Sequence, residues 1–544
     1  MNTRVHAQNR WQWSLPAILP AIALFVAPWL ASPFVAAKTA LLLIAGALAG
    51  IACLKNLSTS RFPHRLLLWS AAIWASVLIV SALHAQNWAE SWHVVAPLAA
   101  AAVFSIAMLQ RRVSVDTILR AIATSATIVS AFAIIGHFGY DLPRLIGGIA
   151  APGRMRTAST LGNPLFVASF LSASIWAVAA LKISIRWRFV WALHVFIGMA
   201  VTTERTCVVA LGLGGLVFLC GKKQISRRWL HPAGLAVALL LVLAAAYYAN
   251  PRSLSTTVQG RVFLWRTALR STTVLGGGPG SFYRIYNQNL RASAQSISAS
   301  DFHFINYETD AYNIFVQAIV ETGLLGLVAM LLFFGAWYRL AWAVRKEMPV
   351  RCALAGVAAF LAAGLSDDPL SRPEGMILLA MWMAVPLLVL FRDNPAIFKL
   401  ESSRSGLGKI WTGVLPVLSL LLLAAAISTA FASYAVHAGE LAEGRGDWAH
   451  AERWDRLALR FDPAQRDARY NLVRVLAQEE QYQASWEESE KALYWVNEAE
   501  LHLMRIRILP LLGRTQAARD ELMHSRSEFP WSKELRIEAV EDSN

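Results

Sequence analysis

The sequence predicts an all-α polytopic membrane protein of about thirteen transmembrane helices, carrying a separate α-helical repeat domain at its C-terminus. Three observations predict it. Of 544 residues, 56% are hydrophobic and only 16% charged, with a mean hydropathy of +0.44, whereas an average soluble domain is about 25% charged. Thirteen apolar windows follow one another between residues 14 and 434, most of them near the ~20 residues that cross a ~30 Å hydrocarbon core. The net charge of +15 is also unevenly spread: residues 440–544 hold 21 acidic and 15 basic residues, leaving 35 basic and 14 acidic in the remainder. A basic, apolar body therefore precedes an acidic, hydrophilic tail, with domains expected at 1–438 and 439–544. This balance excludes a disordered chain, a fibrous repeat and an ordinary cytosolic enzyme. The basic excess belongs to the membrane body, and no nucleic-acid partner is expected.

The windows fall near 14–33, 36–54, 66–84, 92–109, 117–136, 164–181, 188–203, 206–221, 231–249, 312–336, 352–366, 375–391 and 410–434. The first follows Arg4 and Arg10 as a signal peptide would, but its apolar stretch is long and twelve windows follow, so it reads as a retained helix. Lys and Arg in short loops set orientation. With the N-terminus in the cytoplasm, the inner loops carry 22 basic residues and the outer ones six: Lys38, Arg144, Arg154, Arg156, Arg205 and Arg372. The loop from 250 to 310, too long for a connector, is then expected outside, as is the tail. In a Gram-negative bacterium that side is the periplasm. Cys53, Cys207, Cys220 and Cys352 form no ligand or redox pattern and read as small buried hydrophobes.

The tail repeats at 34 and then 33 residues. Trp448 recurs as Tyr482; Ala451 as Ser485 and Ala518; Ala458 as Ala492 and Ser525; Pro463 as Asn497 and Pro530. Small residues seven apart let antiparallel helices pack closely, and Pro or Asn ends the second helix. About three copies resemble tetratricopeptide repeats, which implies a concave face able to take a periplasmic protein partner; bracing of the membrane body is the other use of such a stack.

Several local patterns carry little chemistry. Gly46 and Gly50 read as close helix packing. Gly215–Lys222 has the wrong spacing for a phosphate loop, lacks the following Ser/Thr and lies inside an apolar window, so no ATP site is visible. Gly276–Gly280 reads as a turn before an anion nest, and the adjacent Asp367 and Asp368 are a weak pointer to a metal. Outer-facing arginines say more. Arg205, in Thr-Thr-Glu-Arg-Thr, sits between two windows with almost no loop, where a charge is costly without an anionic partner. Glu204 is the neighbouring candidate, and a bound anion is the other. Arg261 and Arg266 flank Trp265 in the long outer loop. The planar guanidinium donates two parallel hydrogen bonds, which suits the phosphates of a lipid-linked pyrophosphate.

Thr160-Leu-Gly-Asn163-Pro164, Thr203-Glu-Arg205, Gly260-Arg261 with Trp265, the turn at 276–280, and the run from Asn313 through Glu321-Thr-Gly323 to Gly326 resemble the O-antigen ligase and polymerase family over residues 150–340. The resemblance implies a metal-independent, cofactor-free membrane glycosyltransferase of the C-type class. It would move glycan from an undecaprenyl-pyrophosphate-linked donor at the periplasmic face, with the arginines matching Arg205 and Arg261 on the pyrophosphate. Where the family places a histidine, this chain has Tyr312 and Asp310, so the resemblance does not assign a general base.

A hydroxyl nucleophile must lose its proton as it attacks, and a carboxylate or imidazole takes it; Glu308, Asp310 and His303 qualify. Tyr312, with an ordinary pKa of about 10, suits hydrogen-bond donation better. A helix starting at Asn313 is expected to lower the pKa of Asp310, which ranks Glu308 first, Asp310 second and His303 third. The expected function is therefore glycan transfer, as a ligase onto a lipid, glycan or protein acceptor or as a repeat-unit polymerase. A lipid-linked glycan transporter and a non-catalytic membrane anchor are the rivals from other classes; transporters carry mid-membrane ionisable groups, of which these windows have few.

Overall fold

The computed structural model describes residues 14–54, 65–142, 153–221, 251–305, 307–393 and 406–536, and all regular structure among them is helical. The first helices are α1 (Ile18–Leu24), α2 (Ala36–Leu54), α3 (Arg65–His84), α4 (Trp88–Gln110) and α5 (Val115–His137). A 3₁₀ stretch (Gly153–Leu161) precedes α6 (Pro164–Ala180), α7 (Ile185–Ala200) and α8 (Thr206–Cys220). Next come α9 (Pro251–Leu269), α10 (Phe282–Ala294) and a short 3₁₀ turn (Ala299–Phe304). The body closes with α11 (Ile314–Ala343), α12 (Met348–Ala363), α13 (Pro373–Asp393) and α14 (Gly406–Glu443). The tail comprises α15 (Trp448–Phe461), α16 (Arg466–Gln478), α17 (Tyr482–Ala492), α18 (Ala499–Leu511) and α19 (Thr515–Glu528).

Among the described residues seven helices are long and apolar enough to cross a membrane: α2, α3, α4, α5, α11, α13 and residues 413–443 of α14. There are eight if the 3₁₀ stretch and α6, which meet at 50°, form one bent crossing. The protein is thus a helical membrane protein. α8 and α12 are shorter apolar helices. The window at 14–33 is not one continuous helix. α1 ends after seven residues, Phe25 turns extended, and Pro28 and Pro33 lie in the irregular chain beyond; proline lacks the N–H a helix needs and disfavours helical geometry before it. The window at 231–249 lies outside the described residues, as do Arg4, Arg10, Lys55, Arg61, Arg144, Lys222, Lys223, Arg227, Arg228, Lys399 and Arg404 of the charge count.

Helix α13 is apolar on every side and is accordingly buried along nearly its whole length. It is pinned by Trp382 Nε1 donating to Ala173 O (3.1 Å) and by Trp337 Nε1 donating to its Met383 O (3.0 Å). α3 is its opposite, with only Leu67, Ser70 and Ser81 buried, and it forms the apolar periphery. Gly46 and Gly50 let α2 sit against α4 and α14: a Cβ at Gly46 would lie 2.5 Å from the Ala100 Cβ, and one at Gly50 would strike the Ser419 hydroxyl. Cys53, Cys207 and Cys352 are buried, whereas Cys220, at the end of α8, is exposed.

The helix ends sort into two layers. In one, Arg111 Nη2 donates to Ala52 O (2.9 Å), Arg112 covers the Phe391 ring and Arg351 the Phe218 ring. The other layer carries the 3₁₀ stretch, the turn at 201–205, residues 251–313, the loop at 364–372 and the tail. Residues 251–305 there form two helices around an apolar cluster that includes Phe263, Phe282, Tyr286 and Leu290 and reaches Val320 of α11. α14 continues unbroken for 38 residues into the tail. α15, α17 and α19 begin at 448, 482 and 515, and Ala451, Ala458, Ser485, Ala492, Ala518 and Ser525 are all buried between helices. The tail rests on the body: Tyr283 OH donates to Glu498, Ala499 N–H donates to Tyr307 OH (3.0 Å), and His93 Nε2 lies 3.0 Å from Asp462 Oδ1.

Candidate functional site

Five segments converge at this second layer. Asn313 opens α11 as its N-cap, its Oδ1 accepting from Phe315 N and Val316 N (2.9 and 3.1 Å). Its Nδ2 donates to Leu365 O (3.1 Å), and Ile314 N donates to Gly364 O (2.9 Å), so the head of α11 holds the 364–372 loop beside it. Gly364 eases that approach, since a Cβ there would lie 2.6 Å from the Ile314 Cδ1 and push that side chain aside. Trp265 of α9 fastens the segment just before the cap by donating from Nε1 to Ala311 O (2.9 Å).

Between these anchors the backbone of Tyr312 is forced to a φ of 47°, a conformation costly for a bulky L-residue and concentrated at functional sites. Tyr312 N donates to Asp310 Oδ1 (3.0 Å) and its hydroxyl to Glu308 Oε2 (3.0 Å). The Arg261 guanidinium lies over the Tyr312 ring, 3.6 Å from its centre. Arg261 Nη1 is buried and has no hydrogen-bond partner among the described residues. A second non-glycine residue with positive φ, Thr203 (56°), precedes Glu204 and Arg205. Glu204 hydrogen-bonds Arg154 (Nη1–Oε1 3.0 Å) and feels the charges of both Arg261 and Arg205. Its carboxylate is thus ion-paired with Arg154, with the Arg205 charge acting on it as well.

Facing Arg261 is the loop at 364–372. Arg372 grips Asp367 through both nitrogens (2.9 and 2.5 Å) and lies 3.2 Å from the centre of the Phe166 ring. Asp367 Oδ1 also accepts from Asp368 N (2.8 Å), and Thr206 of α8 bonds Ser366 (2.7 Å). Among the described residues no group of three or more His, Cys, Asp or Glu is placed to hold a metal ion.

The electrostatics follow from burial. Burial pushes the Glu308 carboxyl up, against the Tyr312 hydrogen bond and the Arg261 charge, which pull it down. It raises Asp310 too, with Arg372 opposing, so the helix N-terminus does not hold Asp310 low as the sequence led us to expect: loss of water outweighs the helix dipole. Glu204 is likewise raised by burial, and Asp368, whose side chain is buried beside the Asp310 charge, is pushed to about 8. Burial makes the Arg261 charge expensive, an expense that Tyr312, Glu308 and Asp310 reduce.

The structure therefore brings together Arg205, Arg261, Glu308, Asp310 and Tyr312, with Trp265 and Asn313 as their supports. It does not bring in the others. Arg266 is exposed, five residues and so about 140° round the helix from Arg261. His303 is exposed on the short 3₁₀ turn, its ring tilted against that of Phe304 (centroids 4.0 Å apart). Asn163 caps α6 by accepting from Leu165 N (2.9 Å). The Gly-rich turn is spent within the protein. Gly277 N and Gly278 N donate to Val320 O and Glu321 O (3.0 and 2.8 Å), and the Glu321 carboxylate accepts from the backbone at Gly280 and Phe282. Sequence reasoning missed Arg154, Arg372 and the inward placement of Asp368; charged residues packed between two apolar windows, as in Ser366–Arg372, were the available signal. Compared with known protein families and with curated proteins, the chain matches none.

Proposed function

We propose that this protein transfers glycan from an undecaprenyl-pyrophosphate-linked donor to an acceptor at the outer face of a bacterial inner membrane, as a ligase of the O-antigen ligase type. The observation that carries the reading is Arg261. A half-buried arginine whose buried Nη1 has no partner among the described residues, held in place by the ring of a strained Tyr312, is a receptor for an anion. Arg205 adds a second positive charge in the same neighbourhood, so a pyrophosphate has matching partners here.

In the reaction the acceptor hydroxyl attacks the anomeric carbon while its proton passes to a carboxylate. The bond between that carbon and the pyrophosphate oxygen breaks, and the charge released on the leaving group is stabilised by the two arginines. Glu308 is the first choice as base, because burial raises it and the Tyr312 hydroxyl orients it. Asp310 is second, with one oxygen committed to the Tyr312 backbone. His303 is third. Whether the acceptor is a lipid, glycan or protein, or a second lipid-linked unit as in a polymerase, changes only what enters opposite the arginines.

The same reading places the N-terminus in the cytoplasm, counts thirteen crossings by adding residues 14–33 as a crossing broken after α1, with 153–180, α7, α8, 231–249 and α12, and sets the tail outside as tetratricopeptide-like repeats that take a periplasmic protein partner. The exposed apolar face of α7, with Ile185, Trp187, Phe189 and Val190, supports its contact with lipid. The test is reconstitution of the purified protein with a lipid-linked oligosaccharide and candidate acceptors. Transfer with release of undecaprenyl pyrophosphate is expected; vectorial movement of intact donor without transfer would favour the transporter.

A further inference from the structure

A cavity of ≈ 90 Å³ lies between α3, α4 and α11 and is bounded also by Asp368, Leu370 and Ser371 of the 364–372 loop. Its walls differ in character. Trp74, Leu78, Leu98 and Met330, all from helices long enough to cross a membrane, make one wall. Gln317, Glu321, Asp368 and Ser371 are its polar lining; among the described residues no Arg or Lys joins them, and His93, the basic side chain there, is held 3.0 Å from Asp462 Oδ1 through Nε2. Gln317 Nε2 donates to Glu321 Oε1 (2.6 Å), fixing the carboxylate in place. Trp74 and Leu78 belong to α3, the least buried of the crossing helices.

We propose, resting on the transfer reading above, that this cavity is the acceptor site and that it takes an uncharged, hydroxyl-bearing headgroup carried on an alkyl anchor. A phosphate or pyrophosphate finds no cation to pair with there: no lysine or arginine lines the wall, and His93, the basic side chain in it, is already paired with Asp462. An alkyl chain matches the apolar wall at bilayer depth. Hydroxyls match the polar wall, where amide, hydroxyl and carboxyl groups supply both donors and acceptors. Asp368, pushed to about 8, is largely protonated at pH 7 and so able to donate as well as accept. Asp368 also links the two compartments, because it feels the charges of Asp310 and Arg372 on the arginine side. The donor's anion and the acceptor's hydroxyl thus meet at one carboxylate cluster, and charge sorts them.

Photolabelling in lipid nanodiscs, without donor, tests this. The probe is a dodecyl maltoside with a diazirine in its alkyl chain, compared with the same chain ending in phosphate. The maltoside probe is expected to label peptides of 65–84 or 314–343, and the phosphate probe to label them at least tenfold less. Ala318→Phe, which fills the cavity, is expected to reduce labelling at least tenfold. Leu78→Trp, on the peripheral helix, does the same by a change outside the packed core and serves if the first variant fails to fold. Arg261→Lys is expected to label as the wild type does. Equal labelling by the phosphate probe, or undiminished labelling in a folded Ala318→Phe or Leu78→Trp protein, overturns the proposal. Because no turnover is measured, such a result leaves the transfer reading standing. Normal labelling in a protein that transfers nothing from any donor would instead break the transfer reading alone.

Discussion

The Arg261 guanidinium is held 3.6 Å from the centre of the Tyr312 ring, and the hydroxyl of that tyrosine donates to Glu308. One side chain therefore orients both the cation and the proposed base. Tyr312→Phe keeps the ring under Arg261 and removes the hydrogen bond. That hydrogen bond lowers the Glu308 pKa, so its loss raises it. A base works only when deprotonated, so the acid limb of the rate profile should move to higher pH in the variant, with donor binding unchanged. Rates of transfer measured from pH 5 to 8 decide it; an unmoved acid limb excludes Glu308 as the base.

Replacing Arg261 by Lys keeps the charge and loses the planar fork. The loss of one well-placed donor to developing negative charge costs about 10²–10³ in rate, and the variant should fold normally because Arg261 Nη1 has no protein partner to lose among the described residues. Single-turnover transfer with the lipid-linked donor is the measurement. Full activity in Arg261→Lys would remove this residue from the site.

The uneven loop charges make a topological prediction. A reporter active only in the periplasm should work when fused after Asn544, and the same reporter inserted at 225 should be silent. A cytoplasmic C-terminus would sink both the odd number of crossings and the external tail.

How far the sequence discloses this arrangement depends on how near the interacting residues are in the chain. Glu308, Asp310, Tyr312 and Asn313 fall within six positions around a helix start, and local pattern was enough to group them. Arg154 with Glu204, and Asp368 with Asp310, are 50 and 58 positions apart, and their approach is decided by how α6, α8, α11 and α12 pack. Chain proximity also misled. Arg266 and His303 lie near Arg261 and Glu308 in sequence, but helix rotation turns the first away and the short 3₁₀ turn exposes the second. The window at 14–33 shows a different limit, because a hydropathy average does not register the prolines that end α1.

Asp455 makes the last prediction. It is fully buried in α15 against the extension of α14, where the backbone at Gly439 comes so close that a Cβ there would lie 3.0 Å from Asp455 Oδ1. Neither carboxyl oxygen has a hydrogen-bond partner among the described residues, and burial, then the Glu443 charge, push its pKa to about 8 from an ordinary 3.8. A folded-state pKa above the unfolded one means that the native state binds the proton more tightly. The resulting stabilisation is complete below pH ~4 and is lost as pH rises through about 8. The contact between α14 and the tail should therefore loosen in mild alkali. Asp455→Asn has the same shape and no titration, so its stability should not show this loss. Amide hydrogen exchange of residues 448–461 in the full-length protein, compared between wild type and Asp455→Asn at each pH, cancels the intrinsic pH dependence of exchange. Protection in the two should be similar at pH 6, and by pH 9.5 the wild type should exchange at least tenfold faster than the variant. Parallel behaviour across that range would show that Asp455 is already ionised in the native state.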